Sequence, residues 1–521
     1  MSASRFFRYL GTGLLSALLL VVSFPFTGGL TWMIFIAWVP LLWVASELRE
    51  TKRGWLWLFL IAYISFLLFN IGTTWWIWNS TAMGALLAFG CNSLLMALTL
   101  TLGFIWFKKK SLLFFLLGIG LCWLSFEYIH FQWEISWPWL TLGNFFSIRT
   151  RWVQWYEFTG ALGGSLWVIA VNAMVLYHIK QKSDRRFVLK TLGGIVFAPL
   201  ILSYVLYFLP GESVSPKDAQ PVAILQPNID PYHEKFTMEP TQQLAEMLEL
   251  VGTGLPKNAL ILGPETALQE SFTEDNFGAT ASYGALKKNI IDEQHSLLIG
   301  ASTFKIFKQK NSVASRKNDY GTFEESYNTS LLFTPQSLEF AHKSKLVPGV
   351  EKIPFAGIFP FLEAVAIENG GTSGTLGVEK EPQVFTLQQK KIAPVICYES
   401  IYGGFVATQC RKGANLIAII TNDGWWGETP GHRQHNSFAA LRAIENRRFV
   451  IRSGNTGISS VWSPKGDCSA QTKYNEKTSL RATVSYTDRR TLYTLLGDYI
   501  GVLSILCLLG WFLTDRFRQR K

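Results

Sequence analysis

The chain of 521 residues is 49% hydrophobic and 14% aromatic, and only 16% of its residues are charged. This composition excludes a purely soluble protein, because so few charged residues do not cover the surface of a chain this long. The lipid bilayer must therefore solvate a large part of it. The net charge is +11, and its distribution along the chain decides whether it indicates nucleic-acid binding or membrane topology.

Eight apolar segments are long enough to cross a bilayer, which takes about 20 residues in a helix. No charged residue occurs from 54 to 107, and this stretch predicts two helices with a turn near NSTAMG. The first segment could be a cleaved signal peptide, but it lacks an A-x-A site and further spans follow, which favours an uncleaved anchor. The predicted spans lie near 6–26, 30–48, 55–77, 83–107, 111–131, 161–179, 188–209 and 494–513.

Basic residues occur in every second connection between these spans and near both chain ends. These segments carry 17 Lys and Arg and four acidic residues, a net charge of +13, which exceeds the +11 of the whole chain. Lys and Arg next to a span stay on the cytoplasmic side, so the charge reflects topology rather than nucleic-acid binding. The sequence therefore predicts cytoplasmic N- and C-termini and an extracytoplasmic block. The basic residues are Arg5, Arg8, Arg49, Lys52, Arg53, Lys108, Lys109, Lys110, Lys180, Lys182, Arg185, Arg186, Lys190, Arg516, Arg518, Arg520 and Lys521.

The block from about 210 to 493 has the pattern of a soluble α/β domain. Six short runs are apolar almost throughout, as in strands that are covered on both faces. Helical spacing of apolar residues occurs at 240–252 and 434–447. A layered α/β sandwich fits this pattern best. The runs are PVAILQPN (221–228), ALILGPE (259–265), SLLIGAST (296–303), TSLLFTP (329–335), IAPVICYE (392–399) and LIAIITND (416–423).

Polar residues gather where several of these runs end, and ligand sites in such sheets form at strand ends. A single polar residue after a strand more often belongs to a solvent-exposed loop and has no function, but the combination of a glutamate, a lysine and a cysteine is distinctive. An exported domain usually pairs its thiols, and three cysteines in the block leave one over. The strand-end residues are Gln226, Asn228, Glu265, Cys397, Glu399, Asn422 and Asp423, and the three thiols are Cys397, Cys410 and Cys468.

Three motifs carry a family resemblance. Glu265 in GPETAL, Lys343 in HKSKLVPGVE and Cys397 in PVICYES have the Glu, Lys, Cys order of the nitrilase superfamily. With NDGWWG downstream, seven spans before and one after, the chain resembles the apolipoprotein N-acyltransferase family, the membrane-anchored members of that superfamily. The resemblance implies a membrane domain of seven transmembrane helices (1–209), a nitrilase-like α-β-β-α sandwich (210–493), and a C-terminal transmembrane helix with a basic tail (494–521).

The chemistry of acyl transfer gives each of the three residues a role. Cys397 is the candidate nucleophile, because a thiolate attacks carbonyls well and an amine readily attacks the resulting thioester. Glu265 is the candidate base, since a carboxylate at a buried strand end can be tuned for proton transfer. Lys343 is the candidate partner of the oxyanion. By resemblance, Glu351 supports the lysine, while Tyr398 and Glu399 shape the pocket beside the thiol. Possible substrate-binding residues are Asn228, Trp425 and Trp426.

Other interpretations of these residues stay open at the level of sequence. A cysteine in an apolar strand is usually inert packing when it is met alone. Lys345 competes with Lys343, although the spacing to Leu346 in the family motif favours Lys343. A Cys-His hydrolase would use a histidine instead, and Trp425 and Trp426 are as well explained by packing or by an interfacial belt. The candidate histidines are His342, His432 and His435.

The resemblance implies a two-step acyl exchange at the inner membrane of a bacterium, with the catalytic domain on the periplasmic face. A membrane phospholipid is the acyl donor, and the acceptor is the α-amino group of the S-diacylglyceryl cysteine of an apolipoprotein. No cofactor is implied, and no metal-ligand spacing occurs. A tethered amidase or lipid hydrolase with water as acceptor is the alternative. A transporter is disfavoured, because the spans contain few ionisable residues, with Glu127 and His130 near one end.

The segment 131–158, rich in Trp, Phe and Arg, suits an interfacial floor for lipid access, although an ordinary aromatic belt explains it equally well. Two motifs depart from the family. LVPGVE replaces the common LVPFGE around Glu351, and the loop after LQPN has Tyr232 and Phe236 where the family often has Trp. Lipid contacts in that loop, headgroup preference, oligomeric state and a disulfide between Cys410 and Cys468 stay undecided.

Overall fold

The computed structural model describes residues 2–210, 219–355 and 375–519, which form two compact units. The first unit comprises Met1–Trp75, Ala85–Leu209 and Leu496–Lys521, and the second comprises Trp76–Gly84 and Pro210–Leu495. The division differs from the predicted domains in that the short segment Trp76–Gly84 belongs to the second unit and that this unit ends at Leu495 rather than at residue 493. The side chains of this segment bond to residues of that unit, whereas the sequence assigned the whole of 1–209 to the membrane domain.

Among the described residues, seven helical segments are long and apolar enough to cross a membrane, in agreement with the seven spans predicted before the α/β block. The last predicted span, 494–513, is interrupted at Gly497, which has φ 61°, so the final helix begins at Tyr499. The helices are α1 (Ala3–Ser23), α2 (Ile34–Ala37), α3 (Val39–Leu48), α4 (Gly54–Thr74), α5 (Ile77–Ser80), α6 (Ala82–Phe107), α7 (Leu112–His130), α8 (Tyr156–Gln181), α9 (Arg185–Phe208), α10 (Pro240–Glu249), α11 (Ala281–Leu286), α12 (Gly403–Arg411), α13 (Pro430–Asn446), α14 (Leu492–Leu496) and α15 (Tyr499–Gln519).

The second predicted span, 30–48, is a broken helix rather than a continuous one. A 3₁₀ turn leads into α2, and α3 starts with Pro40 in its first turn, where the missing N–H costs least. The buried Asn172 of α8 satisfies the interrupted backbone: its amide donates to the Ile34 carbonyl at 2.8 Å and accepts from the Trp38 N–H at 2.9 Å. Such side-chain bonds replace water for backbone groups inside an apolar unit.

The aromatic connection 131–158, which the sequence suggested as an interfacial floor, is partly buried within the first unit. It folds into 3₁₀ turns whose Trp139, Phe145 and Phe146 are at most 1% exposed. Glu127 anchors this connection by accepting from the Leu142 N–H at 2.9 Å. These aromatic side chains therefore pack inside the first unit instead of presenting a surface to lipid.

The second unit contains two sheets of mixed strand direction. In the first, β1, β2 and β4 are parallel and the order is β14-β1-β2-β4-β6-β5, with β3 on β4 and β7 on β6. In the second, β9, β10 and β11 are parallel and the order is β13-β12-β11-β10-β9-β8. The strands are β1 (Ala219–Gln226), β2 (Leu260–Leu262), β3 (Leu268–Thr273), β4 (Ser296–Phe307), β5 (Arg316–Lys317), β6 (Phe323–Phe333), β7 (Leu338–His342), β8 (Phe385–Leu387), β9 (Lys390–Ile396), β10 (Leu416–Thr421), β11 (Phe449–Gly454), β12 (Ser460–Trp462), β13 (Cys468–Gln471) and β14 (Thr478–Ser485).

Four layers build the second unit, as the α-β-β-α prediction requires. Apolar side chains of both sheets, such as Ile224, Leu262, Ile396 and Ile420, meet in one buried core. A second core lies between the first sheet and the helices α10 and α11, while α12 and α13 pack on the second sheet. Strands that are covered on both faces are apolar almost throughout. Six of these strands can therefore be recognised in the sequence as continuous apolar runs.

Candidate active site

Strand ends bring the candidate catalytic residues together in the second unit. Glu265 follows β2, Lys343 follows β7, and Cys397 follows β9. The Lys343 Nζ donates to Glu265 Oε1 at 3.0 Å, and Glu265 Oε2 accepts from the Asn422 N–H at 3.1 Å, just beyond β10. The charges of Glu265 and Lys343 both act on the Cys397 thiol. The three residues of the predicted triad thus share one site.

Lys343 lies between two carboxylates. Its ammonium donates to Glu351 Oε1 at 2.8 Å as well as to Glu265, and its side chain is only 1% exposed. Asn328 of β6 donates to the same two carboxylates, at 2.8 Å to Glu265 and 2.9 Å to Glu351. The pairing of β6 with β7 puts Asn328 opposite Lys343, whose N–H donates to the Asn328 carbonyl at 2.8 Å. One ammonium and one amide therefore hold together the buried carboxylate of Glu265 and the partly buried carboxylate of Glu351.

The unusual LVPGVE loop still delivers Glu351 to this cluster. Gly349 adopts φ 80°, which glycine tolerates, and its N–H donates to the Lys352 carbonyl at 2.8 Å, closing a tight turn. Glu351 Oε2 accepts from the Val347 N–H at 2.8 Å, so the carboxylate is fixed at both oxygens. The family's different order of residues in this loop is therefore not needed for a carboxylate to reach Lys343.

The backbone around Glu265 is tightly packed against β4. A Cβ at Gly300 would lie 2.4 Å from the Thr266 nitrogen and 2.6 Å from the Glu265 Cα, so only glycine fits there. Thr266 adopts φ 46°, a conformation that costs a β-branched residue about 1–3 kcal/mol. The fold accepts this cost and holds Glu265 against the neighbouring strand.

Cys397 lies on a strained turn at the end of β9. Its φ is 50°, which is uncommon for any residue other than glycine, asparagine or aspartate. Its carbonyl accepts from the Ser400 hydroxyl at 2.7 Å and lies 3.2 Å from His435 Nε2. These contacts keep the turn in place, and such strain at a strand end is typical of a residue that must present its side chain to a ligand.

The charges of the site favour a neutral thiol at rest. Burial and the negative charge of Glu265 raise the pKa of Cys397 well above its usual value, against the pull of Lys343. Burial also opposes the ionisation of Glu265, but the positive charge of Lys343 and the Asn328 hydrogen bond outweigh it and lower the pKa of Glu265. The resting site is therefore a carboxylate, an ammonium and a protonated thiol, so attack by sulfur needs a base at the moment of reaction.

Glu399, predicted to shape the pocket, connects two segments of the site. Its Oε1 accepts from the Ser344 N–H at 2.6 Å and the Lys345 N–H at 3.2 Å, and its Oε2 accepts from the Ile396 N–H at 2.8 Å. It thereby fixes the chain after Lys343 relative to the residue before Cys397. Tyr398 is buried and its ring contacts that of Tyr402 at 5.3 Å.

The residues suggested for substrate binding are distributed around the site. The Trp425 carbonyl accepts from the Tyr232 hydroxyl at 2.8 Å. The Trp426 ring packs 4.6 Å from that of Trp76, and its carbonyl accepts from the Asn79 amide at 2.9 Å. The Trp76–Trp426 contact shows that Trp426 is in part a packing residue. Asn228, with φ 58°, donates its N–H to the Asn455 carbonyl at 3.1 Å.

The competing lysine and histidines have contacts away from the Glu265 carboxylate. Lys345 lies over the Tyr402 ring at 5.2 Å. His342 bonds to Glu274 and Glu379, and His432 stacks on Tyr474 at 4.3 Å. His435 Nε2 lies 3.2 Å from the Cys397 carbonyl oxygen. The arrangement therefore favours Lys343 over Lys345 and a Glu-Lys-Cys site over a Cys-His site.

Near the site lie Asn328 and Lys235, which the sequence did not single out, and Asp423, which it named only as a strand-end residue. Asn328 lies inside a strand with no motif around it, and Lys235 lies in the loop where the family's Trp is missing. Behind the nucleophile, the fully buried Asp423 pairs with Arg452 and with His435 Nδ1 at 2.9 Å. Only Asp423 carried a signal, its place in NDGWWG. Between 2 and 519, the described residues contain no cluster of three or more His, Cys, Asp or Glu that could hold a metal ion.

The cysteines of the second unit differ in environment. Cys410 of α12 is buried, Cys468 of β13 is exposed, and both are free thiols. Cys410 and Cys468 are therefore not joined by a disulfide in this structure. The charges of Arg448 and Glu445 act on Cys410, whereas those of Lys343 and Glu265 act on Cys397.

Two family profiles match the chain. The carbon-nitrogen hydrolase family matches residues 221–492, and the apolipoprotein N-acyltransferase N-terminal domain matches residues 16–174. A curated apolipoprotein N-acyltransferase of Chlorobaculum tepidum is 30% identical over 95% of both chains. Apolipoprotein N-acyltransferase 1 of Treponema denticola is 25% identical over 97% of this chain and 96% of its own. An amidase structure from Nesterenkonia sp. aligns at 15% identity and a TM-score of 0.35, covering 53% of this chain and 94% of the amidase.

Proposed function

Because the chain belongs to the apolipoprotein N-acyltransferase family and is a multi-pass bacterial membrane acyltransferase, we propose that it moves an acyl chain through Cys397. The donor is a membrane phospholipid, and the acceptor is the α-amino group of the S-diacylglyceryl cysteine at the N-terminus of a lipoprotein. The observation that carries this proposal is the strained thiol beside a buried Glu265–Lys343 pair. That arrangement suits acyl transfer through a thioester.

In the first step, the Cys397 sulfur attacks the ester carbonyl of the phospholipid while Glu265 takes the thiol proton. Glu265 Oε2 has one described hydrogen-bond donor, the Asn422 N–H, and so retains a lone pair for this proton. Lys343 stabilises the negative charge that develops on the carbonyl oxygen. The ester C–O bond then breaks, Glu265 returns the proton to the departing oxygen, and a lysophospholipid leaves a thioester on Cys397.

In the second step, the α-amino group of the lipoprotein attacks the thioester carbonyl. Glu265 accepts a proton from the nitrogen, the C–S bond breaks, and the sulfur is reprotonated. The product is an amide, and the thiol is regenerated. Glu399 and Glu351 act as positioning residues in both steps, because they hold the chain segments that carry Cys397 and Lys343.

We further propose that the catalytic unit is extracytoplasmic and that both termini are cytoplasmic. The basic connections between the spans support this orientation, since Lys and Arg are retained on the cytoplasmic side. In a bacterial inner membrane, the phospholipid donor and the diacylated acceptor are then both held by the bilayer. A diacyl lipid leaves a bilayer only at a cost of about 0.8 kcal/mol per methylene, so a membrane-anchored enzyme avoids extracting it.

Mass spectrometry of the purified full-length chain tests the proposal. Incubation with phosphatidylethanolamine vesicles without acceptor is expected to add one acyl mass to Cys397, and a diacylated lipopeptide is expected to remove it as an amide. The variant C397A should carry no adduct, whereas C468A, which removes an exposed thiol, should behave as the unmodified chain. Release of the acyl group as free fatty acid, with none on the lipopeptide, would instead identify a lipid hydrolase.

A further inference from the structure

A second lysine is buried beside the nucleophile. Lys235 lies in the loop between β1 and α10 and is 7% exposed. Its N–H donates to the Asp230 carbonyl at 2.9 Å and its carbonyl accepts from the Gln243 amide at 2.8 Å, so the backbone is fixed. Its ammonium donates to the hydroxyl of Thr266, the residue that follows Glu265. The loop thus directs a cation toward the catalytic carboxylate.

This cation lacks the counter-ions that Lys343 has. Lys343 forms ion pairs with Glu265 and Glu351 at 3.0 and 2.8 Å, whereas no carboxylate within the described segments forms an ion pair with Lys235. Burial lowers the pKa of Lys235 to about 8, even though the negative charges of Glu265 and Cys397 favour the ammonium. Its remaining neighbours are aromatic rings, with Trp425 at 5.8 Å and Phe236 at 5.9 Å. A buried ammonium in such surroundings gains free energy when an anion binds next to it.

We propose that Lys235 binds the phosphate of the donor phospholipid. The inference rests on the proposed function, since it presumes that an acyl ester of a phospholipid reaches Cys397. In such a lipid the phosphate and the acyl ester share one glycerol, so a phosphate necessarily lies close to the thiol when the ester carbonyl does. Lysine is a common phosphate ligand that acts as a point charge. Lys343 is less suited to this task, because two carboxylates already balance its charge.

The experiment compares two acyl donors of the same chain length, one with and one without a phosphate. Single-turnover acylation of Cys397 in the full-length chain is followed with phosphatidylethanolamine and with the 4-nitrophenyl ester of the same fatty acid. The variant K235Q is expected to slow acylation by the phospholipid about 10- to 100-fold, as expected for loss of one charge-assisted hydrogen bond. It should leave acylation by the nitrophenyl ester within about twofold, and K235R should restore most of the rate with the phospholipid.

The surface variant K477Q provides the matched control, because Lys477 is an exposed lysine of the same unit that pairs with Glu246. It should not alter either rate. An equal loss with both donors in K235Q would overturn the inference by assigning Lys235 to the chemistry or to folding, and no loss with either would overturn it directly. Failure of the unmodified chain to form an adduct with either donor would overturn the proposed function as well, which keeps the two outcomes distinguishable.

Discussion

The side chain of Asn328 contributes, after the charge of Lys343, to the ionised state of Glu265. Two carboxylates, Glu265 and Glu351, lie around one ammonium, and like charges this close disfavour each other's ionisation. Asn328 offers one N–H to each of them at 2.8 and 2.9 Å. Hydrogen bonds to the charged form lower the pKa of a carboxyl, and the Asn328 bond contributes to the lowered pKa of Glu265. Asn328 thus keeps the proposed base ready to accept a proton.

Replacing this amide should move the pH profile of acylation. In N328A, Glu265 loses a hydrogen bond that favours its charged form, so the pKa of Glu265 rises relative to that in the unmodified chain. The base must be ionised to act, so the acid limb of the profile shifts to higher pH. The rate of Cys397 acylation should therefore fall far more at pH 5 than at pH 8, as measured in single-turnover experiments across that range.

The control for this variant is N289A, which removes an exposed asparagine whose amide bonds only locally, to the Ala285 carbonyl. Its profile should coincide with that of the unmodified chain. A uniform loss of rate in N328A at every pH would contradict the role in tuning Glu265 and would indicate a loss of geometry instead.

The sequence predicted part of this site, because Glu265, Lys343 and Cys397 each have distinctive neighbours and a recognisable order. Asn328 and Lys235 could not be found in the same way. Asn328 is one of several polar residues in β6, a strand of 11 residues, and its contact with the site depends on the register of β6 with β7. Lys235 depends on the fold of a loop that buries it beside Thr266. Register and burial of single side chains are properties of the folded chain.

At the scale of elements, the segment Trp76–Gly84 shows how a short connection becomes part of the catalytic unit. The Trp76 indole donates to the Gln434 amide oxygen at 3.2 Å, and its ring lies against Gly431, where a Cβ would approach it to 2.6 Å. The Tyr232 hydroxyl donates to the Asn79 carbonyl at 3.0 Å. The segment therefore supports the start of α13 and the Trp425–Trp426 turn together.

Truncation of Trp76 should loosen this region locally. In W76A, loss of a ring that is 1% exposed removes packing worth about 3–5 kcal/mol. Hydrogen exchange is the suitable measurement, because a two-unit chain does not unfold in one step. Backbone amides in the first turns of α13 and near Trp426 should exchange faster, while the strands of the first sheet should not change.

The neighbouring Trp78 gives a matched control, since it is 52% exposed. The variant W78A removes the same side chain from the same segment, and it should leave exchange in α13 unchanged in detergent-solubilised protein. Equal effects of the two variants would contradict the packing role assigned to Trp76.

The sequence was more informative about elements than about their interruptions. Continuous apolar runs predicted six of the strands, and the absence of charge predicted the seven apolar helices. The break near Trp38 and the one at Gly497 escaped prediction because each leaves the overall apolar character of the segment unchanged. Likewise, Trp76 lies in an apolar stretch that resembles a membrane span, and its contacts with Gln434, Trp426 and Gly431 associate it with the second unit.

At the scale of the whole molecule, charge rather than packing carries the proposed orientation. The basic connections and chain ends carry a net charge of +13, whereas the whole chain carries +11, so the remainder of the chain is slightly acidic. This asymmetry predicts that the connection between α8 and α9 faces the cytoplasm, while the second unit does not. The two placements are linked, because an odd number of spans separates them along the chain.

Labelling with a membrane-impermeant maleimide should reveal this orientation. Cys468, an exposed free thiol of the second unit, is expected to react in intact spheroplasts. The reaction should be run at mildly alkaline pH, because partial desolvation of the sulfur raises the pKa of Cys468. A cysteine introduced by Ser183→Cys between α8 and α9, in a C468S background, should react only after the membrane is permeabilised. Peptide mass spectrometry identifies the labelled residue, and C468S alone gives the background. The reverse labelling pattern would contradict the proposed orientation, because Lys180, Lys182 and Arg185 would then lie outside the cytoplasm. In that case the retention of positive charge on the cytoplasmic side would not determine the topology.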